Sequence, residues 1–292
     1  MIPMKKARLM LITSMVIFGT IGLFVRYIPL SSGEIALYRA VLATILIGGY
    51  MLVRRQKIPF QSIKKELPLL LASGMAMGIN WILLFESYRY TTVSVATLSY
   101  YFAPVIVTVV CPFLFKEKMT AKQIICFVMS TLGLVLIVGV GELGQGSSDL
   151  KGILFGLGAA VFYATVILLN KFIKGVAGLP RTILQFMAAI IILVPYVAVT
   201  SGFHVGELTG IGLGSLLFVG LVHTGVTYCL YFSSLKELPG QKAAVLSYID
   251  PLVSVLVSVL ILRENITVMQ VVGGLLILGF TLWNELTVST EA

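Results

Sequence analysis

Charge is scarce in this 292-residue chain: 11% of its residues are Asp, Glu, Lys or Arg, against roughly 25% in an ordinary soluble domain. Histidine is scarcer still. His204 and His223 are the whole supply, and they form no His-x-x-x-His pair or other metal-binding spacing. The three cysteines, Cys111, Cys126 and Cys229, all lie in apolar runs, which leaves no disulfide framework and no zinc site; such cysteines act mostly as small hydrophobes. No Gly-x4-Gly-Lys-Ser/Thr loop is present, which removes a pump driven by that nucleotide site. The glycine pattern at 139–144 matches a dinucleotide fingerprint in spelling only, because no strand precedes it; it reads as a loop. No cofactor and no metal are expected.

What fills the chain is hydrocarbon. Hydrophobic residues make up 58%, too much for one or two soluble domains, and membrane class follows. Ten runs approach the roughly 20 residues that a helix needs to span a bilayer: 7–28, 32–53, 67–88, 93–115, 121–140, 152–173, 180–200, 210–234, 241–262 and 267–286. Lys5, Lys6 and Arg8 before the first run resemble a signal peptide. The run lacks an Ala-x-Ala-like cleavage site, so it is expected to stay as the first helix.

The net charge of +9 raises the question of nucleic acid, but its distribution answers differently. With both termini inside, only Arg26, Arg39, Arg89, Lys151 and Arg263 of the 21 basic residues fall on the other side or within spans. That bias is the signature of cytoplasmic loops. The expectation is an all-α integral membrane protein with ten transmembrane helices, N-in and C-in, among membrane lipids and with no nucleic acid partner.

The chain also repeats itself. An offset of 147 carries Pro104 onto Pro251, Glu117 onto Glu264, Thr120 onto Thr267, Gln123 onto Gln270 and Phe85 onto Phe232. An offset of 144 pairs Phe18 with Phe162, so the early and late parts differ by a short slippage. The halves are 1–142 and 149–288. Each holds five helices, an odd number, so the second must enter the membrane inverted. Inverted five-helix repeats with a site between them are a common construction of secondary transporters.

Asp250 stands near the middle of its span, beside Pro251. A carboxylate there costs about 2.5–3.5 kcal/mol on insertion scales, so it must face protein or water. Ser247, Asp250, Ser254 and Ser258 recur at helical spacing and form one polar stripe. Asp250 serves either to bind substrate or a proton, or only to satisfy the backbone that Pro251 breaks. Pro104 and Pro251 are both expected to break their helices. In the fourth span Thr97, Tyr100 or Tyr101, Pro104 and Thr108 share a face, with Ala103 where Asp250 stands in the other half. The half-sites are therefore chemically unequal.

Other candidate lining residues are Asn80, Tyr163, His223, Thr227, Tyr231 and Tyr248. For His223 and the aromatics, helix packing is the competing reading. Glu86 and Arg39 lie near the outer ends of their spans, as a structural ion pair or an outer gate; snorkelling would serve Glu86 equally. Glu117 and Glu264 read as capping residues and interfacial pairs. Gly74, Gly78, Gly152 and Gly156 permit close helix approach. Gly273 and Gly274 would serve either a homodimer or an internal contact.

Phe85-Glu86-Ser87-Tyr88-Arg89-Tyr90-Thr91-Thr92, with the helix to Pro104 and Lys116-Glu117-Lys118-Met119-Thr120, resembles the first EamA-type repeat. Tyr231-Phe232-Ser233-Ser234-Leu235 through Asp250-Pro251 to Leu262-Arg263-Glu264-Asn265-Ile266-Thr267 resembles the second. The resemblance covers nearly the whole chain and implies the drug/metabolite transporter superfamily. It implies ten helices in two inverted halves, with helices one, three, four, six, eight and nine around a central cavity and five and ten behind. It further implies outward movement of small, amino acid-like metabolites. Glu86 departs from the small or aromatic residue usual at its position.

The expected function is thus secondary active transport of a small polar or amphipathic metabolite by alternating access, with Asp250 as the proton-coupling group. The expected location is the cytoplasmic (plasma) membrane of a prokaryotic cell. An uncoupled facilitator or channel is the alternative. A membrane enzyme or sensor is disfavoured because no nucleophile–base set can be assembled.

Overall fold

The computed structural model describes residues 3–56, 60–115, 119–138, 148–235, 237–238, 243 and 246–288. Among them there is no strand. The helices are α1 (Met4–Val25), α2 (Ser32–Val53), α3 (Phe60–Tyr90), α4 (Val93–Leu114), α5 (Ala121–Val138), α6 (Ser148–Phe172), α7 (Leu179–Thr200), α8 (Gly210–Leu235), α9 (Ile249–Ile261) and α10 (Val268–Val288). Seven of these rods, α1 to α4 and α6 to α8, are long and apolar enough to cross a membrane; α5, α9 and α10 carry shorter apolar stretches. Large apolar side chains such as Leu52, Phe113, Val199, Ile211 and Val268 point outward uncovered, as lipid-facing residues do.

Helix starts follow local chemistry. Ser31 caps α2 through a reciprocal box with Glu34, and Thr92 caps α4 by accepting the Val95 N–H. The same Thr-x-x-Gln box opens α5 and α10: Thr120 with Gln123, and Thr267 with Gln270, at matching distances of 2.8 and 3.2 Å against 2.9 and 3.2 Å. These are the repeat-related pairs, so duplication extends to the caps. The expected capping role of Glu117 lies outside the described residues, as does the glycine loop at 139–144.

The breaks fall three residues ahead of the prolines rather than on them. α4 is interrupted at Tyr101 and Phe102, and α9 begins after a turn at Tyr248. Pro104 and Pro251 lack an N–H and crowd the preceding turn, so the helix is released one turn upstream. This turn splits the expected 241–262 span, leaving α9 as Ile249–Ile261. α1 is likewise interrupted at Thr20.

Two π-helical stretches, Phe218–Val226 in α8 and Val257–Ile261 ending α9, belong to the second half. Thr224 and Thr227 donate their hydroxyls to the carbonyls of Val219 and Val222, five residues back, at 2.8 and 2.7 Å. The hydroxyls thereby occupy the widened turn.

The helices run in two opposite senses. At one end, Arg26 closing α1 meets the carbonyls that close α3, and Gly152 opening α6 lies against Thr91. α6 therefore starts where α1 finishes, and the two run in opposite senses. At the other end, Glu66 of α3 accepts the N–H groups of Lys174 and Gly175, and Lys122 of α5 donates to the Trp283 carbonyl of α10. α5 and α10 pack on each other through Gly133 and Gly273, where an added Cβ would meet the facing backbone carbonyl. Gly274 faces Leu98, so Gly273 and Gly274 are both used inside the fold. Gly74 and Gly78 face Gln185, Ala188 and Ala189 of α7.

Candidate substrate cavity

A cavity of about 300 Å³ lies at the centre of the bundle, at the small end of ligand-site volumes. α5, α7 and α10 contribute nothing to its lining; α2 contributes Arg39, alongside the six helices that the resemblance implies.

Of the expected lining residues, Asn80, Tyr100, Tyr101, Tyr163, Tyr248 and Asp250 all face this cavity, together with Pro104. Tyr101 donates its phenolic O–H to Asp250 Oδ2 at 2.6 Å. An offset of 147 relates Tyr101 to Tyr248, so each helix break presents a tyrosine to the cavity, and one of them holds the acid. Asn80 donates from Nδ2 to the Ala159 carbonyl at 2.7 Å, which fixes its amide between α3 and α6. Tyr100 lies against Tyr163 with ring centroids 5.2 Å apart.

The serine stripe of α9 behaves as its spacing predicts, and it meets α4 along a continuous polar seam. Asp250 takes the Tyr101 hydroxyl, Ser254 Oγ is 2.8 Å from Thr97 Oγ1, and Ser258 Oγ accepts the Ser94 N–H at 3.3 Å. Glu264 ends the seam by accepting the Val93 N–H at 2.8 Å. Gly19 of α1 lies directly against the Asp250 carbonyl and Val253, a close approach that any Cβ would obstruct.

Three expected residues lie elsewhere. His223 is fully buried, edge-on to Phe24 and Phe218, with Nε2 2.9 Å from Thr20 Oγ1. Thr20 gives its own hydroxyl proton to the Ile17 carbonyl, so His223 Nε2 is the donor between them. Thr227 is buried in its π turn. Tyr231 packs edge-on to Phe18 and Phe232. Their regular spacing on α8 was real, but the π-helical stretch rotates the residues after it and leaves Tyr228 to face the cavity.

Glu86 and Arg39 are not brought together. Glu86 accepts the Ser32 hydroxyl at 2.5 Å and lies 3.5 Å from Arg89. Arg39 is buried instead against the cavity: its Nε donates to Thr224 Oγ1 at 2.8 Å, and its guanidinium stacks 4.5 Å above Trp81 and 5.4 Å from Phe85. Among the described residues no carboxylate stands within salt-bridge distance of Arg39. A mid-chain position count puts Arg39 near a helix end; only the depth of the cavity shows it to be lining. Trp81, Tyr88 and Tyr228 are further lining residues that the sequence reading missed, since an apolar helix presents aromatics on every face. No group of His, Cys, Asp and Glu able to hold a metal occurs among the described residues.

The cavity thus holds one cation and one acid in an aromatic shell. Buried charges in a membrane protein must be paired or face a polar guest, and among the described residues Arg39 meets a hydroxyl and ring faces.

Comparison with known proteins places the chain in context. The profile of the EamA-like transporter family matches it twice, over residues 5–139 and 150–284. The uncharacterized transporter YxxF of Bacillus subtilis (strain 168) is 32% identical over 253 residues, covering 84% of this chain and 78% of that protein. The uncharacterized inner membrane transporter YicL of Salmonella typhimurium is 24% identical, covering 94% and 93%. A solved crystal structure superposes with a TM-score of 0.67 at 14% identity, over 98% of this chain and 99% of that one, a likeness of fold alone.

Proposed function

Because the chain belongs to the EamA-like transporter family, and is a multi-pass membrane transporter rather than an enzyme, we propose that it is a secondary carrier of small amphoteric, amino acid-like metabolites. The observation that carries this is the pairing of Arg39 and Asp250 on one aromatic-lined cavity without an ion pair between them. Arg39 offers a planar fork of donors to a substrate carboxylate. Asp250, steadied by Tyr101, receives the substrate ammonium or a proton. Asn80, Tyr100, Tyr163 and Tyr248 complete the lining, and the aromatic shell accommodates an apolar side chain.

Ten spans with both termini inside, in two inverted units of 1–142 and 149–288, best accommodate the charge bias and the antiparallel packing. Relatives described as inner membrane transporters support the cytoplasmic membrane of a prokaryote. Export follows the family resemblance, and proton coupling through Asp250 follows from its position on the cavity between the halves.

The test is a comparison of phenylalanine with its amide and its N-acetyl derivative, by ligand-induced thermal stabilisation of purified protein and by counterflow in proteoliposomes. The free amino acid should stabilise the protein and exchange, and each blocked form should do so far less. Equal behaviour of all three would remove the amphoteric assignment. Exchange indifferent to an imposed pH gradient would favour an uncoupled facilitator.

A further inference from the structure

A second cavity, of about 810 Å³, lies at the end of the bundle that carries Arg26, Ser31, Glu34 and Arg89. Tyr88 lines both this vestibule and the central cavity, so it stands in the wall between them. The groups behind that wall form one connected cluster. Arg26 donates from Nη2 to the Thr91 carbonyl at 2.8 Å and to the Tyr88 carbonyl at 3.3 Å, while its Nη1 lies 2.5 Å from Glu264 Oε1. Glu264 Oε2 accepts the Val93 N–H at 2.8 Å and the Ser258 hydroxyl at 2.5 Å. One ion pair therefore joins the end of α1, the α3–α4 corner and the end of α9, three elements that line the central cavity.

The backbone is bent to make this contact. Arg263 adopts the left-handed conformation, with φ of 54°, which costs a residue bearing a Cβ about 1 kcal/mol or more. The bend turns the chain so that the Glu264 N–H reaches back to the Ser258 carbonyl at 3.0 Å and its carboxylate enters the cluster. The Glu264 side chain is nearly buried, at 8% exposure, whereas Arg26 keeps 34% and faces the vestibule. A residue that only capped its own helix would need neither the bend nor partners on α1 and α4.

We propose that Arg26 and Glu264 form the latch of the gate between the central cavity and the vestibule, with Tyr88 as the leaf it holds shut. Opening requires the pair to part, so that α9 and the α3–α4 corner separate and Tyr88 swings from the partition. The vestibule is then the passage by which substrate meets the medium on that side, which the orientation proposed above makes the outside. Gating of the cavity rests on the transporter reading, but on neither the identity of the substrate nor the orientation.

The experiment is thiol accessibility in membrane vesicles of both orientations, in a chain whose three native cysteines are replaced. Ser247→Cys reports the central cavity, and Glu207→Cys, in a separate chain, marks the vestibule face. Glu264→Gln keeps an oxygen for the Val93 N–H and replaces the oxygen that faces Arg26 with an uncharged amide nitrogen. It should raise labelling of Ser247→Cys by a membrane-impermeant maleimide about tenfold, from the face that labels Glu207→Cys. Arg26→Gln should do the same, and the double substitution should add little to either single one, since both remove one interaction. Unchanged labelling in Glu264→Gln protein that elutes as a monodisperse peak would overturn the latch, as would effects of the two substitutions that multiply. Loss of amino acid counterflow with the labelling response intact would instead strike the substrate assignment.

Discussion

Tyr101 of α4 and Asp250 of α9 share a hydrogen bond of 2.6 Å across the interface of the two halves, at the point where both helices are broken. The acid that one half supplies is held by the tyrosine of the other, and Tyr248, which corresponds to Tyr101, has only Ala103 in the matching position of its partner half. The site matches helix break with helix break and is asymmetric in charge.

Tyr101→Phe should therefore lower substrate affinity by a factor of roughly three to ten, the net worth of one ordinary hydrogen bond. Its effect should vanish in an Asp250→Asn background. Titration of ligand binding to the two single variants and the double variant checks this, and additive losses would mean that the hydroxyl acts on something other than Asp250.

Asp250→Asn should leave a folded protein that still exchanges substrate at saturating concentration, with weakened affinity, but no longer accumulates it under a pH gradient. The amide retains an acceptor for Tyr101 and cannot exchange a proton. Gradient-driven uptake against counterflow in the same proteoliposomes measures the split; retained accumulation would take Asp250 out of coupling.

Arg39→Gln removes a buried cation that has no carboxylate partner within salt-bridge distance among the described residues. Stability in detergent should be unchanged or slightly higher, because a desolvation cost disappears. Affinity for a carboxylate-bearing ligand should fall at least about tenfold, by loss of a charge-assisted contact, with little change for the corresponding amide. A loss that is equal for acid and amide would make Arg39 a packing residue.

His223→Phe is expected to keep transport within a factor of about three and to cost on the order of 1–3 kcal/mol in stability, because Thr20 loses its buried partner. Thermal unfolding and counterflow on the same preparation separate the two quantities. A collapse of pH-driven uptake at normal stability would restore a proton-relay role for this histidine.

Gly273→Ala should destabilise by about 1–3 kcal/mol, since the new Cβ meets the Gly133 carbonyl where α10 crosses α5. Gly279→Ala, with open space at its Cβ, is the control within the same helix. Equal melting temperatures for the two variants would show that the crossing relaxes freely.

Much of the architecture was legible because its causes are local or nearly so. Apolar run lengths marked the helices, and the Pro-to-Glu spacing, with Thr120 and Gln123 recurring as Thr267 and Gln270, marked the duplication. The stripe of Ser247, Asp250 and Ser254 followed from helical periodicity alone, and all three face the cavity. Periodicity misled on α8, where the π-helical stretch shifts the register so that Tyr228, and not His223 or Thr227, lines the site. Glu264 is ion-paired and accepts the first N–H of α4, as a pairing and capping reading expects, but its partners Arg26 and Val93 were not legible: the left-handed neighbour Arg263 redirects the chain, and nothing in the residue order marks that bend.

The amino-acid order by itself determined that this is a helical membrane protein with two related halves and one intramembrane acid, because insertion energies and helical spacing act residue by residue along the chain. Which groups meet was decided only by the tertiary fold. Arg39 faces the cavity rather than Glu86, Tyr101 reaches Asp250, and Arg26 closes on Glu264, since each pairing depends on crossing angles and local helix widening between segments far apart in sequence.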